Sequence, residues 1–173
     1  DIKRFGGQWA AELQRRLRPY FTDLDEEQPD AEGASYLWAR TVRCPYTGKP
    51  IPLSPNWWLL KGADPVAVRP LFDPDADEAR FEIVRGDEAC AAVNPDVGTV
   101  RRGDAVSPWA QNQPVDGDYI KAEAQAGRMG QQLYALAIKQ RRGFVFREPT
   151  DADLEAAKAA EAELERRLPA WEA

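Results

Sequence analysis

Cys44-Pro45-Tyr46-Thr47-Gly48 and Ser107-Pro108-Trp109-Ala110-Gln111 share one residue order, X-Pro-aromatic-X, each behind a stretch of strand-forming composition. A Cys-Pro-x-Cys-Gly turn presents two thiolates across a tight bend, and two such turns surround one tetrahedral zinc ion with four sulfurs. Here the first turn keeps one Cys and its Gly, with Thr47 where the second sulfur would sit. The second keeps only its Pro, with Ser107 and Ala110 in the ligand positions. One thiolate cannot supply the four ligands that zinc needs. Cys90 lies outside both turns, and His is absent from the sequence, which removes the commonest metal ligand and the commonest general base together. We therefore expect no metal and no catalytic residue in this chain.

Other chemistry is thin. The acidic pairs Glu26-Glu27 and Asp87-Glu88 are the candidates for general acid and base, but neighbouring like charges in loops read as solvated. Cys44 has no His to activate it as a nucleophile, and its place in the turn accounts for it. What remains is electrostatic contact. Arg40, Arg43 and Lys49 surround the first turn, Arg101 and Arg102 precede the second, and Lys139, Arg141 and Arg142 follow later. Interleaved with Trp57, Trp58 and Trp109, they are candidate DNA contacts that would track phosphates and stack on an unpaired base. The plainer reading is a solvated charged face over core tryptophans. With 29 acidic against 23 basic residues the net charge is −6. That balance argues against autonomous DNA binding, because neutralising phosphates supplies most of the affinity, yet it leaves room for a local basic patch.

Several elements must position these residues. Ile2, Phe5, Trp9, Leu13 and Leu17 recur at three- and four-residue steps, so Asp1 to about Arg18 is an amphipathic helix stopped by Pro19. Residues 22–34 are acidic and turn-rich, a solvated loop. Strands are expected at Tyr36–Arg43, Trp57–Leu60, Val66–Phe72, Phe81–Arg85 and Thr99–Arg102, punctuated by Pro and Gly. From Asp118, a candidate cap for a helix over Tyr119–Ala126, a helical period returns; Gly127 and Gly130 weaken it before Leu133, Leu136 and Ala137 resume an apolar face. Phe144–Phe146 is a short strand. Thr150 and Asp153 form a capping box for a last helix that runs through Leu168 to a stop at Pro169.

The 173 residues fit one domain with helical extensions, with a 43% hydrophobic content that includes six Trp and six Phe. No apolar run is long enough to span a membrane. The chain opens on Asp1-Ile2-Lys3-Arg4, without Met or an apolar leader, so we expect a piece of a longer protein. Two unpaired cysteines suggest a reduced, cytoplasmic setting.

The run Tyr36–Pro45, followed by Ile51-Pro52-Leu53 and Trp57-Trp58-Leu59, resembles a stretch of the bacterial and archaeal adenine-specific DNA methylases that contain a zinc ribbon. Gly98-Thr99-Val100 before the second turn, Asp118–Glu123, Ala126–Gly130 and Pro149-Thr150 extend the resemblance over about residues 1–155. It implies an α+β fold, a small antiparallel sheet of degenerate zinc-ribbon type flanked by N- and C-terminal helices. Composition and periodicity divide the chain at 1–34, 35–116 and 117–173. The resemblance also implies a parent enzyme that uses S-adenosylmethionine, in restriction–modification or phage defence, with this segment lying between two flanking catalytic halves. The family's Gly-rich cofactor loop and Asp-Pro-Pro-Tyr motif do not occur here, since the sequence has neither Gly-x-Gly nor Pro-Pro. The implied role is a non-catalytic segment that helps position or recognise DNA, with Tyr46 and Trp109 packing the two turns in place of zinc. The alternative is a protein-interaction or scaffold domain, for which the acidic balance and the stripe Leu154, Ala157, Glu161, Leu164 and Leu168 speak.

Overall fold

Aromatic and β-branched composition makes strands here as expected, and only one long segment reverses its predicted type. The computed structural model describes residues 2–21 and 31–168, and among them the chain is α+β, with four α-helices and three small sheets built of antiparallel pairs. Contacts divide it into two compact units, Gly33–Glu148 and a helical unit formed by Asp1–Glu32 with Pro149–Ala173.

The larger unit carries the sheets. The first contains β1 (Ala31–Arg43), β2 (Pro50–Leu53), β9 (Gly130–Gln140) and β10 (Gly143–Arg147), in the order β10-β9-β1-β2. β1 and β2 pair antiparallel, Arg40 opposite Leu53 and Arg43 opposite Pro50. The second sheet is β3 (Trp58–Leu60), β4 (Val66–Leu71) and β5 (Arg80–Arg85), and the third is β6 (Val100–Arg101), β7 (Asp104–Ser107) and β8 (Gln113–Val115). A short helix, α2 (Asp87–Val93), follows β5, and α3 (Gly117–Gln125) follows β8.

Two apolar clusters fill this unit. One gathers Trp57, Val66, Val68, Phe81 and Ile83 against Ala135, Ala137 and Phe146 of the first sheet. The other gathers Val42, Cys44, Ile51, Ala105 and Val115. Trp109 packs against both.

The expected helical face at Leu133, Leu136 and Ala137 is instead β9, whose residues Leu133 and Ala135 through Ile138 are all buried. A strand covered on both faces reads as an unbroken apolar run, which mimics helical spacing. Asp116, not Asp118, caps α3, accepting from the Asp118 N–H at 2.7 Å. Of the expected loop at 22–34, Ala31 to Ala34 already belong to β1, and residues 22–30, with Glu26-Glu27, lie outside the described residues. The stop at Pro169 lies outside them too. Asp87 and Glu88 open α2, where acidic side chains suit the helix dipole.

In the helical unit, α1 (Ile2–Leu17) ends just before Pro19, and the 3-10 turn Arg18–Tyr20 that follows contacts α4 (Asp151–Arg167). The capping box is present: the Thr150 N–H donates to Asp153 Oδ2 at 2.7 Å, and the Asp153 N–H donates to Thr150 Oγ1 at 3.4 Å. On each long helix one glutamate takes two arginines. Hydrogen bonds from Arg15 and Arg16 hold the Glu12 carboxyl down at about 2, and those from Arg166 and Arg167 do the same to Glu163.

The segment around Gly98 laces the sheets together. The N–H groups of Thr99 and Val100 donate to the Ser54 carbonyl at 2.8 and 3.2 Å, and the Trp57 N–H donates to the Pro95 carbonyl at 2.7 Å. A Cβ at position 98 would lie 2.0 Å from the Ser54 carbonyl oxygen and 2.4 Å from the Pro55 carbonyl carbon. Both are backbone atoms held by that lacing, so they cannot yield cheaply. Gly98→Ala should therefore destabilise the fold by about 2 kcal/mol or more, measured by urea titration; an unchanged midpoint would refute the close approach.

Candidate functional site

β1 and β7 each run into a tight turn closed by a backbone hydrogen bond to the carbonyl of its first residue, from Gly48 in one and from Asn112, one place later, in the other. In the first, the Gly48 N–H returns to the Cys44 carbonyl at 2.8 Å and the Cys44 N–H donates to the Lys49 carbonyl at 2.8 Å. In the second, the Asn112 N–H returns to the Ser107 carbonyl at 2.9 Å. Gly48 has φ +74°, and Gln111, in the equivalent place, has φ +52°. This left-handed backbone is free for Gly but costs a side-chain-bearing residue about 1–2 kcal/mol.

The turns face each other through their first residues. Cys44 Sγ and Ser107 Oγ lie 2.9 Å apart, both buried. Burial alone would raise the Cys44 thiol pKa. Hydrogen bonds from the hydroxyls of Ser107 and Thr47 and from the backbone N–H groups of Tyr46 and Thr47 outweigh it, and the net direction is down. Ala110 fills the remaining position with a methyl group against the second apolar cluster. Cys44, Thr47, Ser107 and Ala110 thus offer one soft donor, two hydroxyls and a methyl, a set suited to packing and hydrogen bonding rather than to metal coordination.

The aromatic residues of the turns brace this junction. The Tyr46 hydroxyl donates to the Pro114 carbonyl of β8 at 2.6 Å. The Trp109 indole N–H donates to the Pro50 carbonyl at 2.7 Å, and its ring meets Phe72 edge-on with centroids 5.0 Å apart. Beyond the turns, the Tyr119 hydroxyl of α3 reaches the Arg43 carbonyl at 2.9 Å.

The candidate DNA contacts separate into two groups. Trp57 is buried in the first core cluster, 4% exposed, so no base can stack on it, which corrects its nomination. The half-buried Trp58 donates to Asp96 at 2.8 Å, and Lys61 Nζ sits 5.1 Å over its ring. Trp109 is covered by Phe72 and by Lys49, whose ammonium lies 5.1 Å from the ring centroid and donates to the carbonyls of Pro74 and Ala76. Lys49 is therefore a brace rather than a free cation. Arg43 is exposed and donates to the Gly48 carbonyl at 3.1 Å. Arg40, Arg101, Arg102, Arg141 and Arg142 are exposed, and their side chains make no hydrogen bond or ion pair among the described residues. Lys139 is exposed as well, near the end of β9.

On the larger unit, two exposed aromatic residues were not among the expected contacts. Trp38 lies two residues before Arg40 on β1 and is 41% exposed, and Phe144 on β10 is 52% exposed. Alternation along each strand was the signal available, since Trp38 and Arg40 must share a face. Cys90, the other thiol, is a core residue of α2, directed at the Pro65 carbonyl at 3.5 Å, and burial pushes its pKa up. Comparison with protein-family models, with curated proteins and with solved structures finds no match to this chain.

The contact between the turns is a buried, mutually satisfied pair, so removing one partner orphans the other. Cys44→Ala and Ser107→Ala should each cost about 1–3 kcal/mol. The double substitution should cost less than their sum, by about 0.5 kcal/mol or more. A double-mutant cycle by chemical denaturation measures this, and strict additivity would exclude the pairing.

Proposed function

We propose that this chain is the non-catalytic, degenerate zinc-ribbon segment of an adenine-specific DNA methyltransferase that uses S-adenosylmethionine, and that it helps position DNA for flanking catalytic halves. The observation that carries the reading is the meeting, at Cys44 and Ser107, of two tight turns that lie 63 residues apart in sequence. Two turns facing each other is the arrangement that four zinc ligands would require. The residues of the resemblance, Cys44, Thr47, Ser107 and Ala110, are the ones found at that junction or packed beside it. Cofactor binding and methyl transfer then belong to the parent protein, and this segment contributes shape and charge.

For contact with DNA, the reading rests on the exposed arginines Arg40, Arg101, Arg102, Arg141 and Arg142, with Arg43 and Lys139 beside them in sequence. They would bind phosphates, a positioning role that carries no base specificity. Affinity should fall with salt, the log–log slope counting the phosphates neutralised. A second reading, a protein-interaction domain, is favoured by one observation. Phe5, Trp9, Leu13 and Leu17 form an apolar stripe on α1, and they are 67%, 70%, 40% and 41% exposed.

Two measurements test the proposal. The triple substitution Thr47→Cys, Ser107→Cys, Ala110→Cys supplies four thiolates with Cys44. It should bind one zinc, or one cobalt with the visible absorption of a tetrahedral thiolate site. Failure to bind with the fold intact would remove the ribbon ancestry. Titrating the chain against duplex DNA at increasing salt tests the contact: a negative slope of about 2 or more is expected. Salt-independent or absent binding would leave the protein-interaction reading.

A further inference from the structure

The β9–β10 hairpin concentrates positive charge in a chain that is acidic as a whole. Residues 139–147, Lys-Gln-Arg-Arg-Gly-Phe-Val-Phe-Arg, hold four basic side chains and no acidic one, against a net charge of −6. Gln140 pairs with Gly143, which leaves Arg141 and Arg142 as a two-residue connection at the tip. Gly143 has φ +128° there, in the region that side-chain-bearing residues avoid. Both arginine side chains are exposed and make no hydrogen bond or ion pair among the described residues.

An aromatic ring stands just behind them. Phe144 pairs in register with Lys139, so the two share one face of the hairpin. Phe144 is 52% exposed and stacks on Phe146, with centroids 6.4 Å apart and planes 29° apart. Phe146 is itself 6% exposed, within the first core cluster. The exposed ring is thus anchored to the interior through its neighbour, and the short turn fixes the arginines ahead of it.

We propose that this hairpin tip is a nucleic-acid contact in which Arg141 and Arg142 take phosphates and Phe144 stacks on an unpaired base. The inference rests on the DNA-positioning reading and gives it a location and a mode. Enzymes that modify a base draw it out of the duplex, leaving unstacked bases beside the gap. A flat ring flanked by guanidinium groups suits such a site, because stacking is indifferent to sequence while the cations hold the backbone. An anionic lipid surface suits it less well, since membrane binding by a protein face scales with a larger buried apolar area than one ring offers.

The test uses the whole chain and a fluorescein-labelled mixed-sequence oligonucleotide, single-stranded and annealed to its complement, read by anisotropy across a salt series. Phe144→Ala should weaken single-strand binding about tenfold and leave the salt slope unchanged, while Phe144→Tyr retains binding. Arg141→Gln with Arg142→Gln should lower the single-strand slope by about 1.4, the contribution of two phosphates. Far-ultraviolet circular dichroism checks that each variant keeps its fold. Wild-type affinity in the hairpin variants, with loss in Arg101→Gln/Arg102→Gln, would overturn the hairpin and leave the DNA reading standing. A wild-type chain that binds neither oligonucleotide would overturn both. Binding to phosphatidylserine vesicles but to neither oligonucleotide would likewise overturn both and assign the tip to lipid.

Discussion

Trp109 is the side chain on which the larger unit turns. It is the residue that packs against both apolar clusters, one beneath the paired turns and one between the second sheet and β9. Its indole N–H is satisfied by the Pro50 carbonyl at the start of β2, its edge contact with Phe72 reaches the end of β4, and Lys49 covers the ring. Lys49 in turn ties the first turn to the loop after β4 through the Pro74 and Ala76 carbonyls. A single large aromatic with one polar handle can join two cores because its ring is buried from several sides while its N–H still finds a partner. The turn Ser107–Asn112 is thereby held against the first sheet, and the approach of Cys44 to Ser107 follows from that placement.

Much of the secondary structure was legible because its signals were local. The capping box of Thr150 and Asp153, the break before Pro19, and the strands at Tyr36–Arg43, Val66–Phe72 and Phe81–Arg85 all rest on neighbouring residue types. β9 was not legible, because Leu133, Leu136 and Ala137 satisfy helical spacing as well as a strand buried on both faces does. Asp116 and Asp118 stand equally well as caps on paper, and only the backbone conformation of Asp116, extended at φ −62° and ψ 139°, decides between them. The short strands β7 and β8 and the roughly two turns of α2 are too brief to carry a period at all.

The candidate contacts were legible in charge but not in exposure. Composition marks Trp57, Trp58 and Trp109 as aromatic residues near cations, and each does have such company or a core role, but the cations are used inward. Lys49 and Lys61 lie over the rings of Trp109 and Trp58 as part of the fold, and Asp96 completes the second of these groups with a negative charge unsuited to a phosphate neighbour. What separates a stacking platform from a brace is whether the ring's face is already occupied, which depends on residues distant in sequence. By that criterion three aromatic residues are left open on the larger unit, Tyr46 in the first turn and Trp38 and Phe144 on strands of the first sheet.

The junction of the turns is held by apolar packing more than by its polar contact. The hydrogen bond between Cys44 and Ser107 contributes about 1 kcal/mol net, so it does not hold the turns together alone. The apolar residues around it are Val42, Ile51, Ala105 and Val115, with Trp109, Tyr119 and Ile120 at their margin. Each fully buried Val or Ile side chain contributes roughly 1.5–3 kcal/mol, so Val42, Ile51 and Val115 together outweigh that hydrogen bond. Hydrophobic burial is non-directional, however. Direction is then supplied by the polar ties that cross the junction, from Tyr46 to Pro114 and from Tyr119 to the Arg43 carbonyl. The stability of a junction built in this way depends on how closely its apolar residues pack.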